Sequence, residues 1–74
     1  MNKERRKEIA TLMNNLIELK NNLQDILSDE EDSYDNIPEN LQSSDRAITS
    51  EEAIDNMNEA IENIETAIDV LGDI

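Results

Sequence analysis

The chain has 74 residues, one Gly, one Pro, a single aromatic residue (Tyr34) and neither Cys nor His. It is therefore one small domain, without disulfides, thiolate chemistry or a Cys-based zinc site, and of a size at which one core is marginal. The net charge of −13 is unevenly spread: residues 1–20 sum to +2 and residues 21–74 to −15, where Arg46 is the sole cation. Such a chain repels nucleic acid and anionic membranes and is drawn to basic protein surfaces. No direct nucleic-acid binding is expected, and no segment has the ~20 apolar residues of a membrane span. The charged start MNKERRKE leads into no apolar run, so a secretory signal is not expected and a cytoplasmic location fits.

The first element is a long helix, with Ile9, Leu12, Leu16, Leu19, Leu23 and Ile26 alternating three and four apart. This is the a/d spacing of a heptad seam. Met13 and Leu27 widen the stripe at the flanking e position, and Ile17 lies farther round. Lys3, Arg5, Arg6 and Lys7 crowd the helix N-terminus, where the macrodipole disfavours cations. Beyond Leu27 the seam lapses, with Glu30 and Ser33 in slots that should be apolar, and Pro38 ends the helix by disfavouring helical geometry at Ile37. The helix is assigned to residues 3–35.

A crossover over residues 36–49 follows. Pro38 to Gln42 would make one helical turn, and Ser43-Ser44-Asp45 is turn chemistry. Tyr34, Ile37, Leu41 and Ile48 are available to plug this end.

Thr49 with Glu52 three residues on forms a capping box, so the second helix is expected over residues 50–71, with Gly72 as its stop. Its sequence from Ala53 is three consecutive sevens, AIDNMNE, AIENIET and AIDVLGD. Ile54, Ile61 and Ile68 take one seam position, and Met57, Ile64 and Leu71 the other. Ala53, Ala60 and Ala67 recur at g, where small side chains allow close approach of another helix.

The two seams are equal in length. Folded antiparallel, Ile9 meets the level of Leu71, and Ile26 that of Ile54. The fold class is all-α, an antiparallel two-helix hairpin. Each apolar stripe covers about three positions in seven, wider than a two-helix contact uses, so a homodimeric four-helix bundle is expected. Head-to-tail pairing of hairpins would set the basic N-terminus of one chain beside the acidic Asp29–Asp35 stretch of the other.

Chemistry has few candidates. Without His or Cys, and with no Ser beside a base in an evident motif, the chain is read as not an enzyme. The Glu-x-x-His motif of di-iron bundles is missing, as are the spacing and Gly of a calcium loop around Asp29–Asp35, so no cofactor or metal is expected. Asp55, Glu59, Glu62, Asp69 and Asp73 lie at b and f, opposite the second seam. Neighbouring carboxylates on such a stripe lie about 5–6 Å apart, comparable to phosphates along a nucleic-acid strand. They are the candidate contact surface for a basic partner protein, although a solvated face would look much the same. A second candidate is the crossover, where Tyr34, Ser43, Ser44 and Arg46, joined by Arg5 and Arg6 of a second copy, would hold a nucleotide-like ligand by stacking and phosphate contacts. In the alternative, Tyr34 packs on the bundle end and Arg46 pairs with Asp45 or Glu51.

The stretch DEEDSYDNIPENLQSSDR, followed by EEAIDNMNEAIENIETAID, resembles small acidic helical proteins encoded by phages and prophages. The likeness runs from about Leu23 to Asp69 and is most distinctive at YDNIPENLQSS. It implies an accessory role in infection, with host or defence factors as targets, and carries over no functional residue. Three functions follow from these readings: an inhibitor of a basic or nucleic-acid-binding host protein, an oligomeric sponge for a nucleotide-like signal, and a structural coiled-coil module.

Overall fold

The computed structural model describes all 74 residues as two helices joined by a tight connection, with no strands. Helix α1 spans Lys3–Asp35, a single 3₁₀ turn covers Glu39–Leu41, and helix α2 spans Asp45–Gly72. The helices pack as an antiparallel hairpin, a rod 59 Å long and 15 by 13 Å across its Cα atoms.

Local chemistry sets the ends. The Asn2 side chain caps α1, its Oδ1 accepting from the backbone N–H of Arg5 at 2.8 Å. At the other end, Asn36 donates its N–H to the carbonyl of Asp32, and Pro38 prevents continuation. Helix α2 begins at Asp45, five residues before the expected start. Ser44 rather than Thr49 is the N-cap, its Oγ accepting from the N–H of Ala47 at 3.3 Å. Asp45 then sits in the first turn, where the helix dipole favours an anion. The added turn buries Ala47 completely and brings Ser50 against α1. These contacts favour the earlier of two capping signals, and the connection shrinks from the expected 36–49 to residues 36–44. Gly72 is the last helical residue rather than a left-handed stop, and Asp73 caps the helix with φ −82°.

The seam of α2 runs through Ala47, Ser50, Ile54, Met57, Ile61, Ile64, Ile68 and Leu71, all buried or half-buried. That of α1 is rotated from the expected line. Ile9, Leu16 and Leu23 face α2, but they alternate with Met13, Lys20 and Leu27. Leu12, Leu19 and Ile26 stand outside the hairpin at 55%, 59% and 57% exposure. The turn end supplies the reason. Beyond Leu27 the groups that engage α2 are Glu30 and Tyr34, which extend the line of Leu23 and Leu27; the line of Leu12, Leu19 and Ile26 runs out into Ser33. A helix 33 residues long holds one rotation relative to its partner, so the turn end decides for the whole length. Lys20 takes a seam place, half-buried, and borders a shallow cleft with Ile17, Glu65, Ile68 and Asp69. Of the residues available to plug the turn, Tyr34 and Ile37 are half-buried, whereas Leu41 and Ile48 remain exposed.

The N-terminal cations are partly accounted for by this topology. Antiparallel packing sets the C-terminal end of α2, with its negative dipole, beside Lys3 to Lys7.

Replacing Ser44 by Ala should lower stability by about 1 kcal/mol, whereas Thr49→Ala should change it by no more than a few tenths. Urea melts followed by circular dichroism at one fixed protein concentration test this. The reverse order of costs would place the helix start at Thr49.

Candidate interaction faces and the turn-end clefts

The outward side of α2 is acidic from end to end. Asp55, Glu59, Glu62, Asp69 and Asp73 are all exposed, as are Glu51, Glu52 and Glu65 around them. At 1.5 Å rise per residue the five span about 27 Å. None of the five carboxylates takes a hydrogen bond within the chain, and Thr66 bonds the backbone carbonyl of Glu62, not its side chain. The stripe is thus a row of free charges held on one rigid helix.

Two carboxylates are used differently. Glu30 accepts from Ser50 Oγ at 2.9 Å, a part-buried bond between the two helices. Glu51 accepts from the Tyr34 hydroxyl at 2.8 Å. No sequence motif marks either pair; the signal present was that Leu27 and Tyr34 lie seven apart on one line, with Glu30 between them. The Tyr34 hydroxyl is pushed above its ordinary value near 10, first by its bond to Glu51, then by desolvation and by the negative charges of Glu51 and Asp35.

The residues proposed for a nucleotide-like ligand do not converge within the chain. Tyr34 lines a shallow cleft with Ile48, Ile54 and the carboxylates Glu31, Asp35, Glu51, Glu52 and Asp55. Arg46 lines other clefts, with Ser33, Thr49 and Ser50 in one and with Ser44 and Pro38 in the next. Ser44 is committed to capping α2, and Ser43 is exposed. Arg5 and Arg6 lie at the opposite end of the rod, exposed. A phosphate beside Tyr34 would meet five carboxylates and no cation, which is electrostatically unfavourable.

No group of three or more acidic residues is arranged to hold a metal ion, and no helix is long and apolar enough to cross a membrane. No protein-family model matches the chain, and neither the curated proteins nor the solved structures give a match.

Tyr34 is the sole aromatic residue, so its ionisation can be followed directly by near-ultraviolet absorbance. The midpoint should lie above that of free tyrosine, and Glu51→Gln should bring it down towards 10 by removing the neighbouring charge. Because the raised value favours the neutral hydroxyl in the folded chain, the stability it contributes is complete below pH 10 and is lost as pH rises through the folded-state midpoint. A midpoint at or below 10 in the native protein would mean that the Tyr34–Glu51 bond does not form in solution.

Proposed function

We propose that this chain is a non-enzymatic interaction protein, which acts as a homodimer and occupies a basic, nucleic-acid-binding surface of another protein. The observation that carries the reading is the row of exposed, unpaired carboxylates on α2, with no Lys or Arg after Arg46 to balance them. A face that only confers solubility usually mixes both signs. Carboxylates at helical spacing imitate a phosphate strand in charge and pitch while needing no base recognition by the target. The resemblance to phage-encoded acidic helical proteins extends the proposal to a host or defence protein, encountered in the host cytoplasm.

The dimer is supported by surface. The chain exposes 5717 Å², whereas a compact monomer of 8.4 kDa exposes about 4600 Å². The surplus of about 1100 Å² exceeds the roughly 800 Å² that each partner gives to a standard interface. Four of 74 residues are buried, so the hairpin alone has almost no core. A second copy packed as a four-helix bundle would supply one. The nucleotide-sponge reading is weaker, since Tyr34 and Arg46 line separate clefts and the one containing Tyr34 is acidic.

Native mass spectrometry should therefore give twice the chain mass, and a monomer persisting at micromolar concentration would remove the bundle. For the target, immobilised protein should retain basic nucleic-acid-binding proteins from a bacterial lysate, released by added duplex DNA. Glu59→Lys/Glu62→Lys should weaken that retention by roughly tenfold or more, and raising salt should do the same. Retention lost on Tyr34→Ala or Arg46→Ala, but unaffected by the double charge reversal, would instead select the ligand-binding reading.

A further inference from the structure

Resting on the dimer just proposed, we infer which face and which register the two copies use: hairpins stacked head to tail, with a two-fold axis crossing the shared face at the level of Leu19 and Ala60. The occupant of the exposed α1 stripe is thus a second copy of this chain.

The face is identified by what borders it. Leu12, Leu19 and Ile26 share a line of α1 with Ser33, and Ala53, Ala60 and Ala67 form the g line of α2. Ser33 and Ala53 line one cleft, so the two lines flank the same side of the hairpin. On the opposite side the bordering residues are Ala10 with Gly72, and Ile17 with Glu65. Only the first side presents a ridge of three large exposed apolar side chains beside a row of alanines. Its remoteness from the outward carboxylates of α2 leaves those free for another protein.

Hairpin geometry then fixes the centre. Ile9 and Leu71 line one cleft near the open end, and Glu30 bonds Ser50 near the turn. Midway between these levels lie Leu19 on α1 and Ala60 on α2. A two-fold axis there, perpendicular to the rods, sets α1 against α1 antiparallel and α2 against α2 antiparallel. Leu19 then meets its own copy, and Leu12 meets Ile26 of the second copy. On α2, Ala60 meets its own copy and Ala53 meets Ala67 of the second copy, small against small, which permits close approach of the backbones.

Charge selects this arrangement over the other symmetric one. Head to tail, Lys3, Arg6 and Lys7 come level with Asp35, Asp32 and Glu31 of the second copy, and Arg5 with Ser33. Arg5, seven residues before Leu12 on the same line, is exposed on this face beside the level of Asp32 of the second copy, whereas Arg6 borders the opposite cleft with Ala10 and Met13. Stacked turn to turn instead, the acidic 29–35 segments of the two copies would share one end and the basic 3–7 segments the other, like charge beside like. Head-to-tail stacking also sets the two α2 helices side by side. Their carboxylate rows then run antiparallel on one broad face, as the two phosphate strands of a duplex do, so one dimer would present one target-binding face.

The native chain lacks cysteine, so disulfide trapping reads the register directly. Leu19→Cys and Ala60→Cys should each, as single variants, form a covalent dimer under mild oxidation, because each position meets itself across the axis. Asn21→Cys, on the outward side of α1, should stay reduced. Turn-to-turn stacking predicts that neither single variant cross-links and that the double variant Leu19→Cys/Ala60→Cys does. Native mass spectrometry of the wild-type chain separates the two levels of failure. A wild-type dimer whose single cysteine variants stay reduced overturns the register alone, whereas a wild-type monomer overturns the dimer and the register with it. Arg5→Glu/Arg6→Glu should raise the dissociation constant at least tenfold at low salt, with the difference shrinking as salt rises. A dissociation constant indifferent to both would overturn the charge pairing.

Discussion

The rotation of α1 about its own axis, fixed at the turn, is the constraint on which the remaining structure depends. The α1 stripe is broad enough to satisfy α2 with either of two edges, one through Leu12, Leu19 and Ile26 and one through Met13, Lys20 and Leu27. Near the turn there is no such freedom. The part-buried Glu30–Ser50 bond and the Tyr34–Glu51 bond hold the second edge against α2, with Leu27 buried below them. A polar group withdrawn from water is costly if its partner is lost, so a slip of α1 to the other edge would strand Ser50 and Glu30 together. The stiffness of a continuous helix carries that choice over some 50 Å. It leaves Lys20 at a place in the seam and three large aliphatic side chains outside.

What was legible in the sequence follows the same division. On α2 the large apolar residues between Ile54 and Leu71 are confined to two heptad positions, apart from Val70, so only one edge can face inward. The seam of that helix is the one the spacing predicts, and the hairpin with it. On α1 the band is wider, and the edge that spacing and hydrophobicity favour, Leu12, Leu19 and Ile26, is the one left outside. The choice is made by a Ser and a Glu, residue types that a hydrophobic pattern counts as interruptions. The start of α2 was obscured in a similar way. Ser44 and Thr49 both carry capping chemistry, and the contest is settled by tertiary contacts of Ala47 and Ser50 that local sequence does not express. Among the functional candidates, the acidic stripe needed only helical periodicity and was legible. The grouping of Tyr34 with Arg46 assumed a longer, looser crossover, whereas the short connection sends them to different clefts.

The exposed ridge and the acidic face are linked through charge. Dimerising a chain of net charge −13 doubles a self-repulsion that opposes association unless opposite signs are brought together. The sequence segregates its charge rather than mixing it, with four of its six cations within residues 3–7 and a dense acidic run at 29–35. Within one hairpin these segments lie at opposite ends and cannot neutralise each other. Only an arrangement that overlaps the open end of one rod with the turn of another can do so. That arrangement also places the ridge of Leu12, Leu19 and Ile26 against its own copy. Apolar shape and charge thus favour one geometry by independent routes. In the proposed dimer the cations would be spent at the ends, leaving the middle of α2 its negative charge for the basic partner proposed above.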